Sequence, residues 1–402
     1  MTAKVEIGFT EAGASAPFFT LGDSTLGVLG GTDGVLGGGE VLVDVSQFVK
    51  SYSISRGKSR DLGRYQAGQA TVNFQNDLRT FDPTFEAGPY FGQIEPRRQI
   101  RISLDDVTQF EGTIDDWGIS YEPGGNSIST AQAFDGFANL ANIFLQDFDP
   151  DEEQSGTRIN AALDNIDWPT EKRAIDAGNA TLEGQPVENE TPIFDYLQLV
   201  ADSEPGEVFL DKSGNVRFVE RNAGFSADRP VLSDTGDGIL YTEVGVQFGT
   251  ELLFNEITVA NSTLNAQQTN GTSVALYGKR DLDRFTLLSN QKQLDDLAVF
   301  FSNRFSEPEF RFENVTIDLN TVTPAQREQL INIELADVVE VKFTPNDIPP
   351  TIQRFGRVIK TDQKVTPTEQ ILSLSFQSTQ GALLVLGDAV FGKLGDDKVL
   401  GF

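Results

Sequence analysis

Between residues 97 and 145 apolar and polar positions alternate in short runs: Ile100, Ile102 and Leu104, then Phe110, Ile114, Trp117, Ile119 and Tyr121, then Ile128 and Ala131. A period of two predicts half-buried antiparallel strands, each with one face on a core. Turn chemistry separates them, at Asp105-Asp106 and at Pro123-Gly124-Gly125-Asn126. The period then changes. Phe134, Phe137, Ala138, Ala141 and Leu145 fall at helical spacing, with Leu140 and Phe144 beside them, so the last strand is expected to run into a short amphipathic helix.

The same reading extends along the chain. Strands are expected in VEIGF near the start, in VSQFVKSYSISRGKSR and in AGQATVNFQND. Between the last two, RGKSRDLGRYQAG is the most basic local stretch; its glycines fit neither GxGxxG nor the P-loop spacing, so it reads as a solvated loop or an ion-paired subunit contact. The long connection that follows carries Phe81, Phe85, Tyr90 and Phe91 and must cover something apolar. In DFDPDEEQSG the carboxylates alternate, but Glu152 stands where a calcium loop needs Gly and Arg158 where it needs the bidentate Glu. A solvated acidic linker is the reading there.

A helix is expected at 156–166, with Ile159, Ala162, Leu163 and Ile166 on one side. A second, TPIFDYLQLVADS, has Thr191 as N-cap, Pro192 at N1 and a stripe of Ile193, Leu197 and Val200. EVFLDKSGNVRFVER reads as a hairpin turning at 211–215. Strands dominate again in TEVGVQF, NEITVA, SVALYG, FRFENVTIDL, VVEVKF, RFGRVIKTD and EQILSLSFQS. Two helices interrupt them, SNQKQLDDLAVFFSNRF and TPAQREQLINI. The second opens on a capping box of Thr323, Pro324 and Gln326.

The fold class is therefore mainly β with a smaller α+β part. Two β units of barrel or sandwich type, 45–146 and 238–380, flank an α+β unit at 147–237, with Gly/Leu-rich arms at 1–44 and 381–402. A length of 402 residues fits such a division.

Composition removes more function classes than it suggests. Cysteine and histidine are both absent, which excludes disulfides, thiolate and imidazole catalysis, and Cys or His metal sites. No cofactor or metal is expected, and an enzyme would be left with carboxylate, Lys, Tyr or magnesium chemistry. The formal net charge of −29 disfavours a nucleic-acid-binding surface. No basic stretch leads into an apolar core at the N-terminus, and no apolar run of membrane-spanning length occurs, so stable membrane binding is not expected.

The arms share a pattern, LGDxx[LF]GxLG, at 21–30 and again at 386–395, followed in each case by an Asp-containing turn and Val-Leu-Gly. Similar Gly/Leu composition could produce such a likeness. The functional reading is a pair of equivalent clips that dock on a partner, through Leu21, Asp23, Leu26 and Leu29 in one arm and Leu386, Asp388, Phe391 and Leu394 in the other.

In this order, YSISRGKSRDLGRYQAGQATVNFQNDLRTFDP, RRQIRISLDDVTQFEGTIDDWGISYEPGGNSISTAQAFDGFANLA, DYLQLVADSEPGEVFLDKSGNVRFVER and YGKRDLDRFTLLSNQKQLDDLAVFFSNRFSEPEFRF resemble the hub, or minor tail, proteins at the distal end of bacteriophage tails. The resemblance covers residues 40–380 at the level of pattern. It implies a virion tail-tip protein assembled in the host cytoplasm and a homotrimeric ring with two tube-like β domains per chain. It further implies the distal tail protein above, a tail fibre or receptor-binding proteins below, and a central channel for the tape-measure protein and for DNA as passing cargo. An acidic lumen would let that DNA slide. The β turns at 105–106 and 123–124 become lumen-facing or inter-subunit loops in such a ring. The terminal clips have no counterpart in the general hub pattern. Two alternatives stand beside this reading: a hexameric distal tail protein with a carbohydrate-binding role, and a carboxylate-dependent cell-wall hydrolase.

Overall fold

The computed structural model describes residues 3–9, 41–221, 223 and 229–378. The first part contains β1 (Ala3–Phe9), β2 (Val41–Asp44), β3 (Val49–Gly57), β4 (Gln66–Gln75), β5 (Gln99–Leu104), β6 (Val107–Ser120), β7 (Ile128–Phe134) and the single turn α1 (Phe137–Leu140). The middle part contains β8 (Phe144–Leu145), β9 (Glu153–Gln154), α2 (Ser155–Asn165), β10 (Arg173–Ile175), β11 (Thr181–Leu182), β12 (Thr191–Pro192), α3 (Ile193–Ser203), β13 (Glu207–Leu210) and β14 (Val216–Val219). The last part runs through β15 (Val231–Ser233), β16 (Glu243–Gly249), β17 (Glu256–Ala260), β18 (Asn265–Thr269), α4 (Gly271–Tyr277), β19 (Asp281–Phe285) and α5 (Gln291–Phe305). It closes with β20 (Glu309–Asp318), α6 (Pro324–Asn332), β21 (Val338–Phe343), β22 (Ile352–Val365) and β23 (Gln370–Ser378).

The protein is mainly β. One 13-stranded sheet runs through its first and last parts, in the order β16-β20-β23-β22-β3-β4-β7-β6-β5-β1-β2, with β21 on β22 and β15 on β21. Two segments of this sheet share one strand order, differing in the last strand, which is antiparallel to its neighbour in the first (β1 on β5) and parallel in the second (β15 on β21). In the first the order is β3-β4-β7-β6-β5 with β1 beyond β5; in the second it is β16-β20-β23-β22-β21 with β15 beyond β21. The two segments meet where β22 pairs antiparallel with β3, from Lys360↔Gly57 to Val365↔Tyr52. Each also carries a bulge in its fourth strand, between Ile114 and Asp116 in β6 and between Val358 and Lys360 in β22.

Alternation places Val5, Ile7, Phe74, Ile100, Ile102 and Phe110 in one buried cluster. The aromatic connection 76–98 covers it, as its composition predicts. Phe81 stacks on Phe74 with centroids 4.5 Å apart and Tyr90 on Phe9 at 4.6 Å. A second cluster runs through the middle and last parts, where α2 and α3 pack beside the β13–β14 hairpin and α5 covers the separate sheet β18-β17-β19. The capping box of α6 is present, with Thr323 and Gln326 bonded reciprocally.

Three local expectations are corrected. The helix expected beyond β7 is one turn only, because the chain leaves it to pair Phe144–Leu145 with Thr191–Pro192. That pairing also removes Thr191 from the cap of α3: its hydroxyl donates to the Glu188 carbonyl, Pro192 takes the N-cap position, and the Ile193 N–H donates to the Ile143 carbonyl at 3.0 Å. SVALYG is helical rather than extended. The Asn270 side chain accepts from the Ser273 N–H at 3.1 Å and starts α4, and this local cap outweighs the β preference of Val and Tyr.

Candidate functional site

The clip residues Leu21, Asp23, Leu26, Leu29, Leu386, Asp388, Phe391 and Leu394 lie outside the described residues. Among the described residues no group of acidic side chains is arranged to hold a metal ion.

The basic stretch after β3 is not a solvated loop. It is the node that ties the three parts of the chain together. Lys58 is buried and donates to both oxygens of Glu207 at 2.9 and 2.7 Å, with its ammonium 5.0 Å above the Tyr65 ring. Arg56 reaches the Leu210 carbonyl at 2.6 Å and Glu334 at 2.8 Å. Asp61 accepts from Arg304 at 2.8 Å, and Arg284 reaches the Leu62 carbonyl at 3.2 Å. Burial by itself would raise the Glu334 carboxyl. The Arg56 and Lys212 charges and two backbone N–H donors outweigh it and hold the group below the usual range. Lys212 is also pushed down, to about 8, because burial of its ammonium exceeds the attraction of Glu334. Beside these groups a cavity of about 10 Å³, lined by Arg56, Gln109, Lys212 and Gln363 among others, has room for one water molecule. Arg56 Nη1 and Gln363 Oε1 are buried there without a protein partner, so the space suits a bridging water and is far too small for a substrate.

In the acidic stretch at 147–156 the carboxylates of Asp147, Asp149, Asp151 and Glu152 are exposed, as expected of a solvated linker, while Glu153 is drawn in. Arg158, which breaks the calcium-loop pattern, is a fully buried side chain. It pairs with Glu153 at 2.6 Å and donates to the Tyr196 hydroxyl at 3.0 Å and to the carbonyls of Asp151 and Glu183 at 2.7 and 3.0 Å. The Asp105-Asp106 turn does not project freely either, since the Asp105 carboxylate accepts from Arg327 of α6. The 123–125 turn does project, with Gly124 and Gly125 at φ of +112° and +100° and open space around both.

Among the described residues, two of the open strand edges lie at corresponding places of the two sheet segments. Among the described residues β16 pairs with β20 alone, and its outward side chains include Phe248, 69% exposed, and Val246, 36% exposed. On β6, the partner β5 reaches only to Thr113, so among the described residues 116–120 pairs with β7 on one side and with no strand on the other. Trp117 and Ile119 are half-buried on that segment, and Tyr121 just beyond it is exposed. Alternation predicted the strands but could not reveal these edges, because openness depends on which strands pair. The N–H and C=O groups of an unpaired strand edge can template a further strand.

No family model and no curated protein matches the sequence. Among solved structures, the chain is similar to a tail protein from Neisseria meningitidis MC58, with a TM-score of 0.61 at 12% identity, covering 94% of this chain and 96% of that one. It is also similar to the 43 kDa tail protein of prophage MuSo2 from Shewanella oneidensis, with a TM-score of 0.58 at 12% identity over 86% and 97% of the two chains. A third is prophage tail protein gp18 from Listeria monocytogenes EGD-e, with a TM-score of 0.50 at 10% identity over 84% and 91%. The chain thus has the fold of phage tail proteins, over nearly its whole length.

Proposed function

We propose that this chain, built on the fold of phage tail proteins, is a structural hub of a tail tip. It forms a homotrimeric ring that joins the tail tube, through the distal tail protein, to a central fibre or to receptor-binding proteins. Its place is the virion, and its work is geometric. The observation that carries the reading is the repeated strand order in one continuous sheet, because a chain with two equivalent tube-like segments offers six such segments to a tube when three chains close a ring. The β units take the domain boundaries 45–146 and 238–380, extended by β1 and β2 in the first and by β15 in the last, and the remainder of 147–237 is an outer unit. The net charge of −29 supports an acidic lumen through which the tape-measure protein and DNA pass without adsorbing. The LGD stretches of the two arms, at 21–30 and 386–395, serve as clips onto neighbours in the tip through their Leu, Phe and Asp positions.

Cryo-EM of the intact tail tip tests the reading. Three copies in a ring beneath the tube, with carboxylates on the inner wall, are expected. Six copies would assign the chain to the distal tail ring instead, and a neutral or basic wall would overturn the acidic lumen. Deleting residues 381–402 is expected to leave the fold intact and to impair particle assembly.

A further inference from the structure

We infer that β16 of one chain pairs with the 116–120 segment of β6 in a second copy, antiparallel and in a register set by the junction already present inside the chain. The inference deepens the ring reading and rests on it for the closed assembly, while the strand pairing itself is argued from the fold.

Inside the chain, the fourth strand of the second segment, β22, takes the first strand of the first segment, β3, along the stretch that follows its bulge. The complementary pair of edges is the fourth strand of the first segment, β6 after its own bulge, and the first strand of the second segment, β16. These are the open edges described above. A head-to-tail contact between copies therefore repeats the internal junction and leaves neither edge bare.

The register follows by stepping across the ladders. From the first residue after each bulge, Lys360 leads through Ser375 and Asn314 to Gly245, and Asp116 leads through Gln132 and Thr71 to Ser53. Gly245 therefore occupies the place of Ser53. Since Ser53 faces Lys364, four residues beyond Lys360, Gly245 faces Ser120, four beyond Asp116. The remaining pairs are Val246 with Ile119, Gln247 with Gly118, Phe248 with Trp117, and Gly249 with Asp116.

Three features that did not enter this derivation agree with it. The exposed Phe248 and Val246 fall opposite Trp117 and Ile119, on the same face, so apolar meets apolar. Asp116 falls opposite a glycine, with no like charge facing it. That glycine, Gly249, stands where the internal junction has Gly57, whose Cβ would lie 2.1 Å from the Ile359 carbonyl oxygen.

The chain contains no cysteine, so paired cysteines report the register directly. Gly118→Cys with Gln247→Cys, and separately Ile119→Cys with Val246→Cys, are introduced into the full chain. Two adjacent pairs are needed because hydrogen-bonded and non-hydrogen-bonded positions alternate and differ in Cβ geometry. Under oxidation at least one pair is expected to yield covalently linked oligomers, while Ser120→Cys with Gly249→Cys, about four residues out of register and thus roughly 13 Å apart, yields none. A Val246→Asp, Phe248→Asp chain is expected to keep its fold, as both side chains are exposed, and to weaken self-association at least about tenfold in sedimentation. A trimeric ring that survives this variant and is not linked by either on-register pair overturns the strand pairing and leaves the hub reading standing. On-register linking in a six-copy ring does the reverse. A wild-type chain that stays monomeric at tens of micromolar and is not linked overturns both.

Discussion

At the scale of single residues, buried charge with defined partners distinguishes this protein from what its acidic composition suggests. Arg158 satisfies a carboxylate, a hydroxyl and two carbonyls from a fully buried position. Arg158→Ala strands all four, and chemical denaturation should show a loss of about 3–5 kcal/mol. Asp135 is the opposite case. Burial pushes its carboxyl up to about 6, against the lowering effect of the Gly68 and Phe137 N–H donors and of Arg56. A carboxyl raised above its unfolded value binds its proton more tightly in the fold, so its contribution is fully present below about pH 4 and is lost as pH rises toward 6. The stability of the wild type relative to Asp135→Asn should therefore fall by roughly 3 kcal/mol between pH 4 and pH 7 and stay level above. Denaturation curves of both proteins across that range provide the check. Neither role is legible in the sequence, where the spacing shows Arg158 only as the residue that breaks a calcium-loop pattern.

At the scale of elements, local signals succeeded where they were self-contained. The α6 capping box, the hairpin at 211–215 and the long helix α5 form where their own residues specify them. They failed where a distant strand competed: the two-residue pairing of β8 with β12 shortened α1 and displaced the α3 cap. The junction element is equally non-local. Gly57 ends β3 at φ +120°, where any Cβ collides with the Ile359 carbonyl. Gly57→Ala should cost roughly 3 kcal/mol or more, whereas Gly249→Ala, with nothing within 4 Å, should leave the thermal transition of the isolated chain nearly unchanged.

At the scale of the whole molecule, the basic stretch that looked solvated is a keystone. Lys58 and Glu207 join the first β segment to the middle unit, and Arg56 with Glu334 joins it to the last. Because these ion pairs are buried, they hold geometry as a set. A double-mutant cycle of Lys58→Met and Glu207→Gln should give a coupling of about 1–3 kcal/mol, measured as the departure of the double variant from additivity. A connection of this kind is what the inferred strand pairing between copies would need, since it fixes the angle between the two sheet segments.

The order of amino acids determined the β class, most of the strands, the middle helices and the exclusion of thiol and imidazole chemistry, because alternation, caps and composition act over a few residues. It also carried the pattern-level resemblance to tail hubs. The tertiary structure alone decided that the two β segments share one sheet and one strand order, and which backbone edges remain open. Those facts depend on pairings between residues such as Lys360 and Gly57, far apart in the chain. No local period encodes such a partner, since every strand of alternating pattern could pair with any other until the whole fold chooses.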